Sequence, residues 1–354
     1  MGLTARKVPA LSALVMLLLA ANACFALCDS WGGWDDGLGT AADGPVIVRD
    51  TFSEGVRPPG VQAIGGENVR GGRAEGRDPA VVGRLERVRI PGAGTGLSTE
   101  GYVYLPPQYF QSAYADRRFP AVLAITAFPD PARSPVTRLD YPAAELQLIE
   151  QGRMKPTVMV LMRPSPAPAR DTECEDVPDG PRSETYFTQD VPNAVRATYR
   201  VSADPRAWAV AGDSTGGYCA LKLALKHPGV YRTAVSLAGY YKAAEDPATG
   251  DLFDGSAQRR QEADLLWRLA HRPQPAVSLL VGGGREGDGD DARATRQFVD
   301  AVRPPAGVSS ITPDGAGPGA GLWSRMLPAS LTWLSARLTG PDVAALPPSG
   351  TSAA

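Results

Sequence analysis

The chain has 354 residues and a formal charge of −2, from 36 basic and 38 acidic side chains. That balance gives no positive field for nucleic acid or an anionic lipid surface, and 43% apolar residues are enough for a sizeable core, which excludes global disorder. Gly and Pro, at 39 and 33 residues, call for long loops, and any mechanism that needs an imidazole base has only two histidines to draw on, His227 and His271.

Arg6 and Lys7 precede an apolar run over residues 8–27, the layout of an export signal. Ala21-Asn22-Ala23 offers a small-x-small cleavage site, while the run is also about 20 residues, long enough to stay in a bilayer as an anchor. Residues 1–27 are therefore read as a signal peptide or signal anchor, and Asp29, Asp35 and Asp36 beyond it orient the remainder outside. The expected location is extracytoplasmic, secreted or tethered to the membrane. Residues 28–82, rich in Gly, Asp, Arg and Pro, are expected to form a flexible tether with one short strand near Pro45–Val48. Export permits disulfides. Cys24 and Cys28 fall in the signal region, and the spacing of Cys174 and Cys219 does not resemble a zinc site. A Cys174–Cys219 bridge is expected, with two buried free thiols as the alternative.

From residue 83 the texture changes. Strand-like apolar runs occur at Leu85–Ile90, Gly101–Leu105, Pro120–Thr126, Thr157–Met162, Ala207–Ala211, Thr233–Leu237, Val277–Val281 and Val308–Ile311. Helical patterns occupy Ala143–Gln151, Val191–Tyr199, Gly216–Lys226, Ala257–Ala270, Ala292–Val302 and Leu322–Leu338. Strands alternating with helices predict an α/β domain over residues 83–339, with a mostly parallel sheet of about eight strands covered on both faces. The connections Pro164–Pro181 and Tyr240–Gly255 are long enough to border a site. The Pro/Ser/Ala segment 340–354 reads as a disordered tail.

Ala207–Ala211 runs into Gly212-Asp213-Ser214-Thr215-Gly216-Gly217, and Tyr218–Lys226 continues as a helix. This is a G-x-S-x-G nucleophile elbow in the strand–turn–helix setting that its mechanics require. The alternative is an ordinary glycine-rich turn with Ser214 as a helix cap. Residues 212–228 resemble the esterase D and mycobacterial mycolyltransferase group of α/β-hydrolases, most of all its exported actinobacterial esterases. The likeness extends to Asp171-Thr172-Glu173-Cys174-Glu175-Asp176, to Gly239-Tyr240-Tyr241-Lys242 and to Trp323 through Trp333-Leu334, and covers roughly residues 83–338.

The resemblance implies the α/β-hydrolase fold, a Ser–acid–His triad in that chain order, and ester hydrolysis or acyl transfer. Ser214 takes the nucleophile position. The acid falls in the loop Gly282–Asp291, at Asp288 with Glu286 as the alternative, unless that stretch is only a solvated helix cap. At the histidine position, five residues before Trp323, stands Pro318. His227 lies 13 residues past Ser214 on the same helix, about 20 Å away, and His271 precedes a strand at the opposite edge of the sheet, so neither comes within the roughly 3 Å that a base needs. The resemblance places the oxyanion donors at the N–H groups of Phe128 and Thr215, with Ala127 and Asp130 where the family prefers glycine; an inward-pointing Asp130 carboxylate would oppose an oxyanion.

The sequence thus predicts a serine-hydrolase scaffold impaired by the lost histidine and acting as an envelope binding or scaffolding module. The competing expectation is an active esterase or acyltransferase that uses Ser214 with an unusual base. A third possibility is a tethered surface domain whose cleft is irrelevant. The expected ligand is an acyl ester or lipid-like small molecule. No metal or cofactor is expected: the acidic groups Glu173, Glu175, Asp176 and Asp288, Asp290, Asp291 lack an EF-hand pattern and read as solvent-facing, and no phosphate loop or dinucleotide fingerprint is present.

Overall fold

The central strands are apolar at nearly every residue because both of their faces are covered. The computed structural model describes residues 59–67, 78–283, 290–312 and 320–343. Within them lie β1 (Gln62–Glu67), β2 (Arg84–Pro91), β3 (Ser98–Leu105), β4 (Arg117–Arg118), β5 (Ala121–Ile125), β6 (Val158–Met162), β7 (Trp208–Asp213), β8 (Thr233–Leu237), β9 (Ser278–Gly282), β10 (Gly307–Ile311) and β11 (Asp342–Val343). The main sheet has nine strands in the order β1-β2-β3-β6-β5-β7-β8-β9-β10. The six from β6 to β10 run parallel, and β1, β2 and β3 pair antiparallel at one side. This is the expected α/β-hydrolase sheet with one extra edge strand.

The main helices are α1 (Tyr141–Glu150), α2 (Val191–Thr198), α3 (Thr215–Lys226), α4 (Ala257–Glu262), α5 (Leu265–His271), α6 (Asp290–Ala301) and α7 (Ala320–Ser335). Alternate residues of each strand serve opposite layers. In β7, Trp208 and Val210 join a core with α2, α3 and α5, while Ala209 and Ala211 meet Leu322, Met326 and Leu334 of α7 on the other face.

Three expectations need correction. The segment 28–82 is not a tether throughout, since Gln62–Glu67 adds to the sheet edge. Its Gly65-Gly66 pair sits at a register shift against β2, and backbone pairing needs no apolar alternation there. The helix expected over Ala257–Ala270 is two helices, because the Asp264 side chain accepts the Trp267 N–H and caps a new start. The acidic group Glu173, Glu175 and Asp176 does not face solvent: Glu173 is 0% exposed, and Asp176 takes bonds from the Thr185 N–H and hydroxyl. The strand expected near Pro45–Val48, the signal region with Cys24 and Cys28, and most of the 340–354 tail lie outside the described residues. Among the described residues no helix is long and apolar enough to cross a membrane.

Candidate active site

Every residue of β7 is buried, and the chain leaves the sheet at Ser214 with φ 50° and ψ −117° before α3 begins. A non-glycine residue holds that conformation only where its surroundings impose it. Here they do. The Ser214 N–H donates to Leu237 O at 3.0 Å, and its carbonyl accepts from the Tyr218 N–H at 3.0 Å. The flanking glycines are a matter of space. A Cβ on Gly212 would lie 2.3 Å from the Gly216 carbonyl, and one on Gly216 would lie 2.0 Å from the carbonyl oxygen of Ile125 in β5. Ser214 therefore stands half-buried at the carboxyl edge of the sheet, at the start of a helix whose dipole favours negative charge.

The candidate oxyanion donors lie on adjacent connections. β5 pairs in parallel with β7, Ile125 opposite Gly212, so the turn Thr126–Asp130 and the Ser214–Thr215 elbow leave neighbouring strands side by side. Among the described residues neither the Phe128 nor the Thr215 N–H has an acceptor, which leaves both able to donate to a ligand. Asp130 does not act as the feared opposing charge, because it is ion-paired with Arg138, whose guanidinium also lies over the Trp323 ring at 5.6 Å. Asp213, which ends β7, is 1% exposed. Burial pushes its carboxyl up to about 7 against the pull of Arg138 and of nearby backbone N–H groups.

Both histidines are described, and neither is at Ser214. His227 caps the far end of α3, its Nε2 2.7 Å from Glu184 Oε1. Glu184 is held well below the usual carboxylate range: burial alone would raise it, but the His227 bond, Lys222 and Lys226 outweigh burial. His271 ends α5, stacked on Trp267 at 4.6 Å with Nδ1 2.8 Å from the Trp267 carbonyl. It precedes β9 and so lies at the amino edge of the parallel strands, opposite the elbow. Asp288, Glu286 and Pro318 lie outside the described residues. The described chain reaches Gly283, one residue past β9, at the same carboxyl edge as Ser214.

The elbow also has a rear wall that pattern reading missed. Cys174 and Cys219 form a disulfide that ties the 164–182 loop to α3. That loop turns Asp171 and Glu173 inward, beneath Thr215 and against Tyr240 of the loop after β8. Lys222, 0% exposed, locks it from the helix side, donating to the carbonyls of Glu173 and Cys174 at 2.9 and 2.7 Å and pairing with Glu175 at 2.5 Å. Among the described residues no group of three or more His, Cys, Asp or Glu side chains is arranged to hold a metal ion.

Residues 93–305, more than half of the chain, match the family model described as Esterase. The chain belongs to the esterase family. Two curated relatives are similar to parts of this family member. An uncharacterised protein of Corynebacterium glutamicum is 28% identical over 199 residues, covering 54% of this chain and 42% of that protein. The S-formylglutathione hydrolase of Bos taurus is 32% identical over 111 residues, covering 30% and 38%. The chain thus matches less than half the length of either. Among solved structures, a ferulic acid esterase aligns with a TM-score of 0.61 at 15% identity, over 73% of this chain and 99% of that one. The S-formylglutathione hydrolase of Agrobacterium tumefaciens aligns at 0.60 and 15%, over 78% and 100%. At that identity the likeness speaks for the fold, which these esterase-family proteins share.

Proposed function

We propose that this chain is an exported esterase-family protein whose serine site receives an acyl ester or lipid-like small molecule and hydrolyses it poorly, so that it acts as a binding or scaffolding module of the cell envelope. One observation carries the impairment: the chain's two histidines are at the far end of α3 and at the opposite edge of the sheet, bonded to Glu184 and Trp267. A serine without a base is a weak nucleophile at neutral pH. Export is supported by the basic head and apolar run of residues 1–27 and by the Cys174–Cys219 disulfide, a bond that persists in oxidising compartments.

A second reading, an active serine esterase or acyltransferase with a base other than histidine, is favoured by the strained Ser214 backbone and by the two N–H groups left without acceptors. Hydrolysis of a short-chain nitrophenyl ester separates the two. The impaired reading expects kcat lower than that of a complete triad by roughly 10⁴–10⁶, little changed in Ser214→Ala and raised in Pro318→His. Turnover of about 1 s⁻¹ or more that vanishes in Ser214→Ala would sink it. For the location, fractionation of cells that make the full chain is expected to find it in the membrane or the medium; recovery in the cytosol would contradict export.

A further inference from the structure

The overall charge of −2 conceals a basic hollow at the amino edge of the sheet, where α2 ends beside β4. It is a cavity of about 450 Å³. Three of its seven lining residues are arginines, Arg118, Arg196 and Arg200, and none is acidic. The hollow is not part of the serine site: Phe119 pairs with Val201 just ahead of β5, at the end of the parallel strands opposite to Ser214.

Arg196 is the unusual member. It leaves the last turn of α2 with its guanidinium carbon 5.1 Å from the centre of the Trp208 ring. Among the described residues its one hydrogen bond runs from Nη1 to Asn193 Oδ1, at a long 3.4 Å, and its Nε is buried with no acceptor. A guanidinium carries five N–H donors, so most of this fork is unused. Burial pulls its pKa down, and only Tyr231 acts against that pull. The charge suits the carboxyl end of a helix, but that leaves the donors unmet. A desolvated cation with idle donors is costly unless an acceptor arrives from elsewhere.

The other two arginines set the field. Arg200 gives its fork to the carbonyls of Tyr109, Tyr114 and Ala115 and lies 4.2 Å from the Tyr109 ring, so it offers charge rather than free hydrogens. Arg118 is exposed and reaches the Val201 carbonyl at 3.4 Å. Among the described residues no carboxylate pairs with any of the three. Glu86 bonds the hydroxyl of Tyr199 in the lining at 2.8 Å, but its charge is taken by Arg84 at 2.7 Å. Asp342 stands opposite Arg118 in the β4–β11 pair without an ion pair to it. Asn193 accepts through Oδ1, which leaves its amide NH2 to donate.

We propose that this hollow is a binding site for a phosphate ester, gripped by the Arg196 and Arg118 forks in the field of Arg200. Guanidinium forks match both carboxylate and phosphate. A carboxylate, with two oxygens, fills one fork. A phosphate monoester brings three acceptor oxygens and a charge near −2, enough for two forks and the Asn193 amide. The cavity is larger than a bare phosphate, so the esterified group has room. The ester is either a free small molecule or the headgroup of a lipid, and the same forks serve both.

Calorimetric titration of the full chain tests the site, with sn-glycerol 3-phosphate for the free source and short-chain phosphatidic acid for the lipid. The parent is expected to bind with a Kd of roughly 1 mM or tighter. Arg196→Gln and Arg118→Gln are each expected to weaken binding at least about tenfold. Arg117→Gln removes the same charge from a residue that does not line the cavity, and is expected to change Kd by less than about twofold. Binding of glycerol phosphate supports a free ester as the occupant, and binding of phosphatidic acid alone supports a headgroup. No binding of either probe at millimolar concentration would overturn the proposal. So would affinity that survives both cavity variants, or that falls equally in Arg117→Gln. Arg118 is exposed and its variant keeps the core intact, so it decides alone should Arg196→Gln fail to fold.

Discussion

Replacing Cys174 and Cys219 together by alanine is expected to lower the stability of the folded domain by about 4 kcal/mol, from the loop entropy of a bridge that spans 45 residues. In a domain of this size that is a fall in melting temperature on the order of 10 °C. The bridge does more than close a loop. Cys174 follows Glu173 directly and Cys219 lies in the second turn of α3, so the bond holds the acidic loop against the helix that begins at Ser214. The loss is therefore expected to begin locally, with faster hydrogen exchange over 164–182 before the sheet opens. Differential scanning calorimetry with exchange mass spectrometry checks both parts. A change below about 1 kcal/mol, or exchange that rises uniformly, would mean that the loop is held by its packing alone.

Lys222→Met is expected to cost a comparable amount, about 3–5 kcal/mol, because it breaks a buried ion pair from one side. The lysine is 0% exposed and its ammonium serves two carbonyls and the Glu175 carboxylate. Methionine fills the space but leaves all three without a donor. Glu184 is less affected, since it keeps Lys226 at 2.5 Å and His227 at 2.7 Å. Urea unfolding at pH 7 measures the effect. A cost below about 1 kcal/mol would show that the loop can turn those groups to water without penalty.

The bridge and Lys222 also mark where the sequence was legible and where it was not: the Cys174–Cys219 pairing was expected, the lysine was not. The strands from Pro120 to Ile311 could be read because a strand buried on both faces is a run of apolar residues, and the observed bounds differ from the expected ones by no more than two positions. The elbow was legible for a steric reason, since only glycine fits where Gly212, Gly216 and the Ile125 carbonyl meet. Glu173, Glu175 and Asp176 read as a solvated acidic stretch because charge in a local pattern usually means water. What reverses that reading is Lys222, 48 and 49 residues away from Cys174 and Glu173, and no local pattern announces such a partner. Tyr240 was visible only as part of a resembling motif, and its link to Thr215 depends on two loops meeting under the elbow. Arg138 was equally unseen, although it decides the charge beside the turn that holds Phe128.

The central claim is an assembled serine elbow that lacks a titrating base, and the most direct test is the rate of fluorophosphonate labelling of the full chain between pH 5.5 and 7.5. Intact mass follows the reaction, with Ser214→Ala as the control. The account predicts slow labelling confined to Ser214 that rises about tenfold per pH unit without a plateau, as for a serine activated only by hydroxide. A rate that levels off above a pKa near 6.5 would reveal a working base and contradict it, and a folded chain that takes no label would contradict the assembled elbow.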